Sequence, residues 1–177
     1  DDDYIRNDGP QHRAEMRLID KAFAHIPKTH RVLDVPCGGG RVTIHLAKKG
    51  YRISSADLSD NMIEIARQAI ADNQLDCTVE HQDVEKLTLG DRSFDTVVSF
   101  RLFHHFPSPD IRQRVVKELC RVAAQHVVLS YFNPQSWTSM RRKLRAARGG
   151  RKSDKHATPL REVAGYFEKV GFRLVKN

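Results

Sequence analysis

The sequence predicts an α/β fold, a doubly wound parallel sheet with helices on both faces. Three observations predict it. Short apolar runs alternate with amphipathic stretches from residue 31 to residue 132, as strands and crossover helices do in a parallel sheet. Residues 94–100 form a predominantly apolar strand of the kind covered on both faces. Residues 31–35 read as a buried strand that runs straight into Gly38, Gly39 and Gly40 and then a helix. That order makes a nucleotide site, because glycine lets the backbone approach a ligand and a helix N-terminus adds unpaired donors.

The elements follow in order. Residues 11–26 are predicted helical from Leu18, Ile19, Ala22, Phe23 and Ile26 at helical spacing, and Pro27 closes them. The helix after the glycine turn covers 41–49 and stops at Gly50, a C-cap residue. A second strand over 51–56 ends at Asp57. Ser59 and Asp60 cap a helix running to Ala71. A short third strand over 77–80 precedes Asp83, and 87–92 is a loop. After the fourth strand, residues 110–122 are a helix striped by Ile111, Val115, Val116, Leu119 and Val122. Residues 125–132 are a fifth strand. Residues 134–147 can form a basic amphipathic helix broken by Gly149-Gly150, 159–170 another helix, and 172–175 the start of a sixth strand.

A chain of 177 residues is long enough for one domain with a real core. No apolar run approaches the ~20 residues needed to span a bilayer, and the acidic start, Asp1-Asp2-Asp3, is unlike a signal peptide. Cys37, Cys77 and Cys120 lack the spacing of a zinc site or a disulfide framework, so no metal is expected and a reducing cytoplasm is the expected compartment. The net charge of +8 is concentrated. Arg141, Arg142, Lys143, Arg145, Arg148, Arg151, Lys152 and Lys155 stand against the single acid Asp154 in that stretch, which points one face at an anionic partner.

Ligands of open α/β sheets bind at the carboxyl ends of the strands, near the switch in strand order. The first four such ends carry Asp34 with the glycines, Asp57, Asp83 and the residues 99–105. An acid at one strand end is commonly a helix cap or a solvated loop residue; three on consecutive strands form a pattern. Asp34 beside the glycines suits a ligand with a positive or hydrogen-bond-donating end. Asp57 can accept both hydroxyls of a ribose, and Asp83 an adenine amino group.

The segments V-L-D-V-P-C-G-G-G-R, S-S-A-D-L-S-D-N-M, H-Q-D-V, F-D-T-V-V-S-F-R-L-F-H-H-F and E-L-C-R-V span residues 30–132. In that order and spacing the chain resembles the class I S-adenosylmethionine-dependent methyltransferases of the small-molecule and quinone-type group. The resemblance implies a Rossmann-like methyltransferase sheet, with the seventh strand missing from this chain. It also implies S-adenosyl-L-methionine as cofactor. Asp34 and the backbone of Pro36, Cys37, Gly38 and Gly40 would hold its methionine end. Asp57 would take the ribose, with Leu58 and Met62 beside the adenosine. Asp83 and Val84 would meet the adenine, and Phe100 and Arg101 would lie near the sulfonium. Pro36 stands where the family has its first glycine, and a contact through that N–H is lost. A nicotinamide-binding domain is the rival, but its G-x-G-x-x-G would need a small residue where Thr43 stands.

The resemblance divides the chain into a cap or lid (1–29), a cofactor-binding core (30–132), a basic acceptor-side insertion (133–158) and a last helix and strand (159–177). His104 and His105 follow the fourth strand at the acceptor's end of the sheet, and histidine is the usual base at neutral pH. One of them could equally cap a helix or line the pocket. Tyr4, His12, Arg13 and Arg17 are lid candidates, with Tyr4 and Arg17 as acceptor contacts. Tyr131, Trp137, Arg141 and Arg142 follow the fifth strand as further acceptor contacts. The expected reaction is O-methylation of a small, phosphorylated, lipid-linked or glycan acceptor. Trp137, Met140 and Leu144 among the arginines favour an anionic acceptor or a peripheral membrane surface. RNA ranks lower because aromatic residues are 7% of the chain. The other readings are an RNA methyltransferase and a catalytically silent cofactor-binding scaffold. Oligomeric state and acceptor identity are not written in the residues.

Overall fold

A computed structural model describes residues 9–136, 140–141 and 155–175. Five strands, β1 (Arg31–Asp34), β2 (Arg52–Asp57), β3 (Val79–His81), β4 (Phe94–Ser99) and β5 (Ala123–Leu129), form one sheet in the order β3-β2-β1-β4-β5. Every pairing is parallel. The chain winds outward from β1 to β3 and then returns to place β4 on β1's other side. The switch in strand order therefore lies between β1 and β4, and ligands of open α/β sheets bind outside the carboxyl ends of such a pair.

Side chains alternate across the sheet, and each face is apolar. Val32, Ile53 and Val98 pack with Met16, Ile19 and Phe23 of α1 (Pro10–Phe23) and Val42 and Leu46 of α2 (Arg41–Lys48). Leu33, Ala56 and Val97 pack with Val115, Leu119 and Val122 of α4 (Pro109–Val122). The adjacent Val97 and Val98 are both fully buried, one on each face, which explains the apolar character of β4. Helix α3 (Asp60–Asp72) packs its Ile63, Ala66 and Ile70 with Ile44 of α2 and Val79 of β3. Ser59 caps α3 by accepting the Met62 N–H, as its sequence position predicts.

Most boundaries fall within two residues of those predicted. Strand β5 starts at Ala123 because α4 feeds it without a loop: Ala123 is both the helix cap and the first strand residue. The last helix, α5 (Leu160–Glu168), is followed by Gly171 with φ at +83°. One expectation fails. Residues 172–175 form no strand. Phe172 packs into the clusters on β5 and α5, but Leu174 and Val175 are exposed. Alternating apolar residues become a strand only beside a neighbour that completes the ladder, and among the described residues no segment pairs with them. The predicted basic helix over 134–147 lies mostly outside the described residues; Met140 and Arg141 are helical.

Candidate functional site

The glycine turn is tied into the sheet by its own amides. Cys37 N–H donates to the Ala56 carbonyl at 2.8 Å, and Gly40 N–H to the Cys37 carbonyl at 3.0 Å. Gly38 N–H donates to Asp57 Oδ2 at 2.8 Å, while the other oxygen, Oδ1, accepts the Ser59 N–H at 3.0 Å. Asp57 thus bridges the turn after β1 to the turn after β2. Gly40 sits at φ +78°, and a Cβ there would lie 3.4 Å from the Ala66 Cβ of α3. A left-handed residue pressed against a helix explains a glycine at this position. Pro36 follows a cis Val35–Pro36 bond and contributes no N–H. The amides of Cys37, Gly38 and Gly40 thus hold the turn's shape, and the turn offers close approach.

Asp34 lies one layer deeper than a direct contact needs. Its side chain is fully buried. Asp34 Oδ2 accepts from Thr43 Oγ1 of α2 at 2.8 Å, and that hydroxyl is 2.7 Å from Ser55 Oγ of β2. Because Asp34 takes Thr43's proton, Ser55 must donate to Thr43, which gives a chain Ser55→Thr43→Asp34. Among the described residues, Asp34 Oδ1 is buried with no hydrogen-bond partner. Burial pushes the Asp34 carboxyl up to about 7; hydrogen bonds from Thr43 oppose that rise, and the charge of Asp57 adds to it. Burial likewise raises the Cys37 thiol, so it is no thiolate nucleophile.

The neighbouring strand ends carry the pieces an adenosine would use. Leu58, directly after Asp57, leaves 56% of its surface exposed, unusual for a leucine in so ordered a turn and apt for packing on a ring. Met62 lies in the first turn of α3, half-buried. Asp83 and Val84 follow β3, the strand paired to β2. Asp83 is exposed, and its Oδ1 also accepts the Glu85 N–H at 2.9 Å. Val84 is half-buried against the α4 cluster. Acid, apolar surface, acid on adjacent strand ends fits an adenosine, the ribose on one side and the amino group on the other.

Strand β4 leads to Phe100, packed against the α1 cluster, and to Arg101, a non-glycine residue at φ +63°. Its N–H donates to Ser130 Oγ at 2.6 Å. The Arg101 guanidinium turns to Glu15 of α1 at 3.2 Å, and Arg41 of α2 reaches the same carboxylate at 3.3 Å. A guanidinium beside a sulfonium would repel it, so turning aside suits the position.

A 3₁₀ turn over Phe103–His105 follows, and it separates two histidines that sequence alone left equivalent. His104 is buried and stacks on Phe132, with ring centroids 4.2 Å apart and planes 19° apart. His105 is exposed, its ring 4.2 Å from that of His104. Partial burial, then the charges of Lys155 and Arg101, pulls the His105 pKa down from its ordinary value, which favours the neutral ring. Arg112 of α4 fixes this turn from behind. It donates to the Phe106 and Pro107 carbonyls at 2.8 and 3.2 Å and pairs with Glu162 of α5 at 2.9 Å.

The acceptor assignments fare unevenly. Arg17 is exposed, and two residues on from Glu15 it lies about 200° around α1, away from the strand ends. Tyr131 is half-buried among Phe103, Val163 and Tyr166, its phenol pKa raised by burial. Arg141 is exposed. Tyr4, Trp137 and Arg142 lie outside the described residues. Glu15, Thr43, Ser55, Arg112 and Ser130 were missed. Thr43 and Ser55 did leave a signal, being polar residues at positions where the helix and strand periods face the core.

A family model described as a methyltransferase domain matches residues 32–126. A ubiquinone biosynthesis O-methyltransferase of Coxiella burnetii is 37% identical over 90 residues, which are 51% of this chain and 37% of that protein. Methyltransferase GfsG of Streptomyces halstedii is 34% identical over 118 residues, 64% of this chain and 41% of that one. The chain thus spans well under half the length of these curated relatives. Among solved structures, magnesium protoporphyrin IX methyltransferase of Synechocystis, with bound S-adenosylhomocysteine, superposes with a TM-score of 0.78 at 19% identity, covering 93% of this chain and 75% of that one. A protein of Pyrococcus horikoshii gives 0.76 at 21% identity, covering 93% and 84%. At such identities the likeness is one of fold.

Proposed function

From its membership of the class I S-adenosylmethionine-dependent methyltransferase family, to which the chain belongs, we propose that it catalyses O-methylation of an acceptor hydroxyl. The observation that carries this reading is the row of fitted strand ends: the Asp57-anchored glycine turn, exposed Leu58, and Asp83, with an accessible His105 across the β1/β4 switch. When bound, the cofactor supplies an activated methyl group on a sulfonium. Asp57 would take the ribose hydroxyls, Leu58, Met62 and Val84 would pack on the adenosine, and Asp83 would accept from the adenine. Gly38 and Gly40 admit the methionine end, with Asp34 setting the turn from below.

The remaining work is alignment of the acceptor and removal of its proton. His105 is the candidate base. It is accessible, and partial burial with the charges of Lys155 and Arg101 disfavours its protonation. His104 is too buried to reach an acceptor; stacked between Phe132 and His105, it fixes where its neighbour's ring lies. Relatives named as ubiquinone O-methyltransferases support a hydroxyl acceptor. The basic residues 141–155 support an acceptor that is phosphorylated, lipid-linked or otherwise anionic.

The test is calorimetric titration with S-adenosylhomocysteine, NADH serving as control, followed by methyl transfer to catechol-type and phosphorylated hydroxyl acceptors. Micromolar binding of the first ligand alone, with transfer to one acceptor class, is the expected result. Binding without transfer to any oxygen, nitrogen or carbon acceptor would leave a cofactor-binding scaffold instead.

A further inference from the structure

Helix α1 presents two unlike sides. Met16, Ile19 and Phe23 are buried against the sheet and α2. Its only acids, Glu15 and Asp20, are engaged by other elements. Glu15 meets Arg41 and Arg101, and Asp20 lies 2.7 Å from His45 Nε2 and also meets Lys49. The outer side is left with cations and apolar groups. Arg13, Arg17 and Lys21 are all exposed. Residues four apart drift by only about 40° around a helix, so these three form one row. Ala14, Leu18 and Ala22 form the row beside it, also exposed, Leu18 by 58%.

Charge is segregated along the sheet as well. Asp60, Glu64, Asp72, Asp76, Glu80 and Asp83 are exposed around α3 and β3, at one edge of the sheet. The cluster that seats α1 instead reaches Val98 of β4 and Val128 of β5. A protein polarised in this way meets an anionic surface basic side first. Two such surfaces can be told apart on α1. Its one aromatic residue other than histidine, Phe23, is buried, so the outer side has no phenyl, phenol or indole ring on which nucleic-acid bases could stack. Leu18 beside the row of cations supplies apolar contact, the mixture found on helices that lie in a membrane interface.

We propose that the outer side of α1 is a docking surface for a bilayer rich in anionic phospholipid. Arg13, Arg17 and Lys21 lie along the phosphate headgroups, and Leu18 enters the boundary between headgroups and acyl chains. The helix runs from the carboxyl ends of the strands, where Glu15 meets Arg101, back to the start of β1. It therefore lies lengthwise on the sheet and can set its whole outer side on a flat surface. The attraction is between exposed charges, so salt screens it. Docking of this kind needs neither cofactor nor acceptor, and it stands or falls apart from methyl transfer.

The test is co-sedimentation of the full chain with vesicles of phosphatidylglycerol and phosphatidylcholine, against vesicles of phosphatidylcholine alone. Binding to the anionic vesicles only is expected, and it should weaken as salt rises from about 0.05 to 0.5 M. The double variant Arg17→Glu/Lys21→Glu should lose roughly tenfold or more in affinity, since each cation at an anionic surface is worth about fivefold. Lys86→Glu/Lys117→Glu makes the same change in net charge away from α1, at exposed positions after β3 and on α4. It should change affinity by less than about twofold. Circular dichroism checks folding, and Arg17→Gln/Lys21→Gln asks the same question should the charge reversal unfold the chain. A parent that ignores anionic vesicles, an α1 variant that binds as the parent does, or equal losses in both double variants would overturn the proposal. So would binding to a single-stranded RNA that exceeds binding to vesicles and is lost in the α1 variant.

Discussion

Replacing Thr43 with Val removes one oxygen from a place that water cannot refill. Thr43, Asp34 and Ser55 are all buried, at 0%, 0% and 1% exposure, and valine keeps the branched shape. The lost hydroxyl donates to Asp34 at 2.8 Å and accepts from Ser55. A hydrogen bond to a charged group contributes roughly 1.5–3 kcal/mol, and leaving a buried hydroxyl without its acceptor costs about 1 kcal/mol more. The total is about 3 kcal/mol when Asp34 is ionised. When Asp34 is protonated, only neutral hydrogen bonds are lost, and the loss falls to about 1–2 kcal/mol. The pH dependence has a definite sign. The folded Asp34 pKa is raised above its unfolded value of 3.8 to about 7. Its contribution is therefore fully present below pH 3.8 and is lost as pH rises through 7, because the folded state holds the proton longer. Thr43 pulls that pKa down, so its removal lifts it further, and the variant suffers more at pH 8 than at pH 5. Urea unfolding of both proteins at the two pH values measures this. A penalty equal at pH 5 and pH 8, or one under about 0.5 kcal/mol at both, would refute the hydroxyl-to-carboxylate bond.

Three further substitutions probe the rest of the site. Asp57→Ala removes the acceptor of the Gly38 and Ser59 amides along with any ribose contact, so S-adenosylhomocysteine affinity should fall by about 1.5–3 kcal/mol; unchanged calorimetric affinity would dismiss that assignment. Gly40→Ala forces a side chain into φ +78°, at a cost of roughly 1–2 kcal/mol. A lowered urea midpoint with unchanged slope reports it, and an unmoved midpoint contradicts it. His105→Gln should lower kcat about 10²–10⁴-fold if the ring is the base, and parent kcat should rise with pH through a value below 6.5. A variant that keeps both rate and pH profile would leave His105 a lining residue.

What the residues disclosed in advance was local. Gly40, Asp57 and the strand ends follow from chain-order chemistry: an apolar run, a residue able to turn left-handed, an acid where the strand stops. The same kind of reasoning erred at residues 172–175, because a strand is a property of a pair and its partner is not written in its own residues. Helical periodicity likewise gives relative directions around α1 but not which direction faces the strand ends. Glu15 settles that question, and its meaning comes from Arg41 and Arg101, 26 and 86 residues away.

The two histidines show the same division. Adjacent in sequence, His104 and His105 are chemically identical until the 3₁₀ turn buries one against Phe132 and exposes the other. That outcome depends on Arg112, which reaches past the turn to Glu162 on a different helix. Positions that carry chemistry were legible because the chemistry constrains residue type. Positions that aim them were not, because Thr43, Ser55, Ser130 and Arg112 are ordinary residues until the fold brings a partner. The site's precision therefore resides in this second group. The Thr43 experiment tests it more directly than any substitution of a residue that touches a ligand: nothing at Thr43 can alter ligand contact except by moving Asp34 and the turn above it.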